Sequence, residues 1–217
     1  MLTKNIWKRG ISLLGAAAMT ASMLTGISFA EGETYTQPTL NPHSKSVLEV
    51  DGYQFIDLNG NGGLDVYEDW RQDAETRAAD LVSQMTVREK IAQMQHPTYL
   101  PRADGKIAPY LKNYCSEYGI GMLLIRELNS VEAAATTMNT IQEYAEASRL
   151  GVPVLVSMDS VHGLSYVSGA TVTPHNLALA ATRDEALVTK LAEIARDEHL
   201  AVGVRMTLSP EADIASE

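Results

Sequence analysis

Apolar positions along this chain fall into two regimes that change over near Gly119. Before that point they recur at helical spacing. Ala78, Leu81, Val82 and Met85 stand at i, i+3, i+4 and i+7, which predicts an amphipathic helix. Thr86 and Glu89 follow at capping-box spacing ahead of Ile91 and Met94, predicting a second helix start. Residues 96–118 carry Pro97, Pro101 and Pro109 and read as a loop with a short helix. After Gly119 the apolar residues bunch. Ile120–Ile125 reads as a strand buried on both faces. Ser130 can cap a helix running to about Arg149, with Met138, Ile141 and Ala145 on one side. Val152–Met158 is a second strand, with Pro153 tolerated near its start. Thr182 and Glu185 have capping-box spacing ahead of a helix whose apolar face is Leu187, Leu191 and Ile194. Val202–Leu208 is the third run. Strand, helix, strand, helix, strand predicts an α/β fold with parallel strands and right-handed crossovers.

The N-terminus follows other rules. Lys4, Lys8 and Arg9 precede an apolar, Ala-rich stretch from about Ile11 to Phe29, and Ser28-Phe29-Ala30 places small residues before Glu31. This is the layout of an export signal over residues 1–30, which implies a secreted or cell-envelope protein with no other membrane segment. Residues 31–75 are expected to hold a polar linker, with Pro38 and Pro42, and a compact loop segment; residues 76–217 hold the α/β domain. The formal charge of −10, without a Lys/Arg cluster past the N-terminus, excludes a nucleic-acid partner. A single cysteine, Cys115, excludes an internal disulfide.

One segment carries metal chemistry. Asp57, Asn59 and Asn61 offer side-chain oxygens at positions 1, 3 and 5 of a twelve-residue EF-hand-like loop. Gly62 supplies the turn at 6, Gly63 a carbonyl at 7, Asp65 stands at 9, and Glu68 at 12 can bind through both oxygens. Hard oxygen donors curling around one cation predict a structural Ca²⁺. The residues before Asp57 look extended, so no helix–loop–helix pair is expected. The competing reading is an Asn/Gly turn with solvated acids.

In parallel α/β folds ligands meet the C-terminal ends of strands. The second predicted strand ends at Met158-Asp159-Ser160-Val161-His162-Gly163, so Asp159 and His162 are candidate ligand-binding residues. By local sequence alone, Asp159 could equally brace a loop or cap a helix. The wider pattern is more specific. Asp57 to Trp70, Leu81-Val82-Ser83-Gln84-Met85-Thr86 with Glu89-Lys90-Ile91, Ser148 to Pro153, Asp159 to Gly163, Pro174-His175-Asn176, Leu179 to Asp184, Gly203 to Met206 and Ser209-Pro210 together resemble glycoside hydrolase family 3. The match is to the N-terminal catalytic domain of its β-glucosidase/β-xylosidase members and spans about residues 53–217.

The resemblance implies a (β/α)₈ barrel of which this chain holds about three β/α units. It implies removal of terminal β-linked sugars with retention, through two carboxyl groups about 5–5.5 Å apart. It also assigns Asp159 to the hydroxyls of the terminal sugar, and a β-glucoside as substrate. Thr173 stands where the family usually has an aromatic residue, and Glu211 where an apolar one is common. Neither nucleophile nor acid/base is expected among these residues. Asp184 and Glu185 suit a helix first turn, and Asp213 a turn. The chain therefore reads as an N-terminal fragment that would be inactive alone. The alternative is a non-catalytic calcium- or carbohydrate-binding protein derived from a partial barrel.

Overall fold

The computed structural model describes residues 34–102 and 106–211, so the expected export signal, Asp213 and Glu217 lie outside the described residues. Contacts divide the chain into Met1–Gln37 and Pro38–Glu217. Of the first unit only residues 34–37 are described, and they hold no helix or strand. Among the described residues no helix is long and apolar enough to cross a membrane.

The second unit begins with an antiparallel hairpin, β1 (Val47–Val50) and β2 (Tyr53–Ile56). Part of the stretch expected to be linker is thus a strand. Its four residues are too few to show a period, and its identity comes from pairing with β2. Helix α1 (Ala74–Gln84) is capped by Asp73, whose carboxylate accepts the Thr76 N–H. Helix α2 (Val87–Gln93) starts with the expected reciprocal cap, the Thr86 hydroxyl accepting from Glu89 N and the Glu89 carboxylate from Thr86 N.

The region read as an irregular loop contains β3 (Thr98–Tyr99) and α3 (Tyr110–Lys112), which widens into a π-helical turn over Asn113–Tyr118. Strand β3 adds a fourth member to the sheet. Two residues behind Pro97 leave no run to recognise, and pairing of Thr98 with Leu124 defines the strand. Next come β4 (Met122–Ile125), α4 (Val131–Glu146) capped by Ser130, and β5 (Leu155–Met158). Helices α5 (Asn176–Thr182) and α6 (Glu185–Val202) precede β6 (Met206–Thr207). Val202 closes α6 rather than opening the last strand. Asp184, not Thr182, caps α6. Thr182 ends α5, left-handed Arg183 breaks the chain, and the Asp184 carboxylate then accepts Leu187 N.

The sheet order is β3-β4-β5-β6, all parallel. The fold is α/β, as the alternation of elements predicts. Leu123, Ile125, Val156 and Met158 are fully buried and meet Leu111, Met138 and Ile141 from the helices. Ser157 is buried among them, its hydroxyl paired with His96 Nε2 at 2.7 Å. Of the expected α6 face, Leu191 and Ile194 are half-buried and Leu187 is exposed.

Candidate functional site

The Asp57–Trp70 segment is organised by its own polar groups. Asp57 is buried and accepts Asn61 N–H through Oδ1 at 3.1 Å and Gly62 N–H through Oδ2 at 3.0 Å. Glu68, also buried, reaches back across the loop. Its Oε1 accepts Leu58 N–H at 2.8 Å and its Oε2 accepts Asp65 N–H at 3.0 Å. Asn59 and Asn61 each turn an amide NH₂ to Asp65 Oδ2, at 2.6 and 2.7 Å. Two neutral donors therefore sit against the carboxylate that a cation would otherwise neutralise. Among the described residues His, Cys, Asp and Glu alone nowhere gather in threes suited to a metal ion. A cation here would need Asn59, Asn61 and the Gly63 carbonyl as well. Rotating each amide presents its oxygen, at the loss of the Asn61 N–H bond to Asn59 Oδ1 and the Gly63 N–H bond to Asn61 Oδ1, and the set is then all hard oxygen, which fits calcium.

The loop is fastened to the domain. The Tyr67 hydroxyl donates to Leu150 O at 3.1 Å, and burial with Glu68 beside it pushes that phenol far above its ordinary pKa. Gly151, at φ +60°, lies so close that a Cβ would sit 2.5 Å from Leu58 O. Trp70 stacks on Phe55 at 5.4 Å, and its indole N–H donates to Gln54 O.

The second polar cluster lies at the C-terminal end of the parallel sheet. Register places it there: Leu124 pairs with Ser157, so two residues on, Arg126 and Asp159 emerge side by side. They form an ion pair through Arg126 Nη2 and Asp159 Oδ2. The guanidinium also lies over Tyr166, 6.0 Å from the ring centroid. Beside Asp159, the Ser160 hydroxyl meets His199 Nε2 at 2.5 Å, while His199 Nδ1 contacts Ala195 O at 2.6 Å. With Nδ1–H donating to the carbonyl, Nε2 accepts from serine, so the buried imidazole braces this loop. A cavity of about 420 Å³ opens below it, lined by Ser160, His199, Val188, Leu191 and Val204 among others.

His162 does not join this cluster. Its Nδ1 faces Thr173 O at 3.2 Å, and its ring lies 5.3 Å from that of His175. Its contacts tie two loop segments together. Arg126 and His199 carry no sequence signal, because each meets its partner only through sheet register or helix packing. Among the described residues, the buried side-chain polar atoms without a partner are Arg126 Nε and Ser209 Oγ. Each closely follows the C-terminal end of a strand of this sheet.

A family model described as the glycosyl hydrolase family 3 N-terminal domain matches residues 86–217, more than half of the chain. The chain belongs to glycosyl hydrolase family 3. A periplasmic beta-glucosidase/beta-xylosidase of Dickeya chrysanthemi is 38% identical over 197 residues, covering 83% of this chain and 30% of that protein. Beta-glucosidase C of Emericella nidulans is 32% identical over 167 residues, covering 71% and 26%. The chain thus spans under a third of the length of these relatives. Among solved structures, a family 3 beta-N-acetylglucosaminidase from Paenibacillus superposes with a TM-score of 0.53 at 25% identity, covering 58% of this chain and 24% of that one.

Proposed function

We propose that this chain carries the sugar-recognition end of an exported β-glucosidase-type glycosidase, in which Asp159 accepts hydrogen bonds from hydroxyls of the terminal sugar. The observation that carries the reading is the place of Asp159. It stands in the family's Asp-x-x-His-Gly segment, at the C-terminal end of β5, where a parallel α/β sheet receives ligands. The glucosidase assignment, rather than an N-acetylhexosaminidase one, is supported by the names of the sequence relatives. The solved structure's different substrate speaks to the shared scaffold.

The four parallel strands are read as part of a (β/α)₈ barrel. Retaining hydrolysis needs a carboxylate nucleophile and a carboxylic acid about 5–5.5 Å apart. No described residue is assigned either role: Asp159 is engaged by Arg126, and Asp184 caps α6. Asp159 would therefore orient the sugar while other carboxyl groups perform displacement and proton transfer. Export is supported by the charged and apolar layout of residues 1–30 and by the periplasmic relative. The Asp57–Glu68 loop is read as a structural calcium site formed by Asp57, Asn59, Asn61, Gly63, Asp65 and Glu68. The cation would neutralise three carboxylates and fasten the loop, with no part in bond cleavage.

The test is turnover of nitrophenyl β-glucoside and nitrophenyl N-acetyl-β-glucosaminide by the full-length protein from the gene. Turnover of the glucoside, and loss of at least about 100-fold in kcat/KM for Asp159→Asn, are expected, because a charge-assisted contact to the reacting sugar is removed. Preference for the N-acetylated substrate, or unchanged kinetics in Asp159→Asn, overturns the reading. Substantial turnover by the isolated 217-residue chain would show that displacement is performed by residues within it.

A further inference from the structure

We infer that Arg126 is a positioning and specificity residue for the sugar, fixing the Asp159 carboxylate and offering its outer N–H edge to the same hydroxyls. The inference rests on the proposed role of Asp159 and adds a partner the sequence motif does not contain. Four observations converge on it.

The first is register, which sets residues 126 and 159 next to each other at one end of adjacent strands. The second is backbone strain. Glu127, directly after Arg126, holds φ +59°, a left-handed conformation costly for a side chain with a Cβ. That turn takes the chain away from the sheet immediately after Arg126. The third is the clamp around it. Leu128 N–H donates to Tyr166 O at 2.7 Å and Ser168 N–H donates to Leu128 O at 2.9 Å. The Asp159 loop and the chain after β4 are thereby stitched together, with the guanidinium between Asp159 and Tyr166. The fourth is what the fold leaves unused. Arg126 Nε is buried without a partner, while the side chain as a whole is 42% exposed. An arginine placed only for stability would have its buried N–H satisfied. Here the guanidinium is oriented by Asp159 and Tyr166, and the side chain keeps part of its surface open to solvent.

The pair has a chemical logic. A carboxylate only accepts hydrogen bonds and a guanidinium only donates them. Neighbouring hydroxyls of a pyranose can do both, so one can donate to Asp159 while the next accepts from Arg126. The ligand class is an uncharged sugar with vicinal hydroxyls. A Lys would keep the charge but lose the planar fork.

The experiment is a double-mutant cycle in the full-length protein with nitrophenyl β-glucoside. Arg126→Gln should raise KM by ~10-fold, with kcat altered far less and the melting temperature kept near wild type, as expected for one charged hydrogen-bonding partner lost. Arg126→Lys should fall between wild type and Arg126→Gln. In an Asp159→Asn background, Arg126→Gln should add less than about twofold, because the two act on one contact. Wild-type kinetics in Arg126→Gln beside an impaired Asp159→Asn, or fully additive losses, overturn the inference and leave the role of Asp159 standing. Unimpaired Asp159→Asn sinks the underlying reading instead. Should Arg126→Gln not fold, Arg126→Lys decides alone: an unchanged KM overturns the inference.

Discussion

The Asp57–Glu68 loop and the strand-end cluster both gather oxygen-rich side chains, but they are assembled over very different chain separations. Within the loop these bonds join residues four to ten positions apart, such as Asp57 with Asn61 and Gly62, or Glu68 with Leu58. At the sheet, Arg126 meets Asp159 across 33 residues and Ser160 meets His199 across 39. The first arrangement is a property of twelve consecutive residues. The second exists only when two parallel strands and a helix are in place. A local motif can therefore be recognised from spacing, whereas a strand-end site is a consequence of register.

The largest effect should come from the point where the loop touches the sheet domain, ahead of β5 and at the end away from the strand-end cluster. Gly151 takes a positive φ directly under Leu58. Gly151→Val introduces a Cβ against a backbone carbonyl that has no rotamer with which to retreat. Left-handed strain and overpacking together should cost about 3 kcal/mol. Melting should show whether the loss is shared by the sheet. One broad transition that shifts as a whole means the loop supports the domain, and an early separate transition means it does not.

Calcium should act nearly as strongly. At a hundred times its dissociation constant, a bound ion stabilises the folded state by about 2.7 kcal/mol. An upward shift of melting with Ca²⁺, absent in Glu68→Ala, is the expected result. No calcium-dependent heat or shift in the wild type would return the loop to a hydrogen-bonded turn in which the asparagine amides take the cation's place.

How far the sequence revealed the molecule follows from the same contrast. The Thr86/Glu89 cap, the Ser130 cap and the extended approach to Asp57 are local and match the structure. Strand β3 escapes notice because two residues cannot display a period, and they become a strand only by pairing with β4. The Thr182/Glu185 spacing sets the cap of α6 two residues early, since both Thr182 and Asp184 suit that role and only the left-handed break at Arg183 chooses between them. Asp159 stood out because a short motif marks it. Arg126 carries no motif, although two adjacent parallel strands, once aligned, would have pointed to it.

A smaller effect separates local from distant contributions within one residue. Glu89 caps α2 and also receives Arg149 Nε and Nη2, at 2.8 and 2.6 Å. Hydrogen bonding to Arg149 is the main reason its carboxyl is held at about 2, below the usual 4.5. Its folded-state pKa is depressed, so its contribution is complete above about pH 4.5 and drains away as pH falls toward 2. More than half of the Arg149 side chain is exposed, which limits the contribution to about 1 kcal/mol. Glu89→Gln should melt lower than wild type at pH 7, and the gap should close as pH falls through about 2. A gap that persists in acid would assign the effect to the cap alone.

The smallest perturbation gives the sharpest view of whether the two regions open together. Cys115 lies in the π-helical turn, 1% exposed and packed in the sheet's core, and burial pushes its thiol up to about 12. A thiol-specific reagent should leave it unmodified in the native protein, since neither access nor thiolate is available. Labelling then requires opening of the core, and its rate reports that opening without any mutation. If the Asp57–Glu68 loop stabilises the sheet through Gly151 and Tyr67, chelating calcium should accelerate labelling by the factor that matches the lost melting stability. Should calcium raise the melting temperature of the loop but leave Cys115 labelling unchanged, the two regions open independently. The contacts at Leu58 and Leu150 would then fix geometry without transmitting stability.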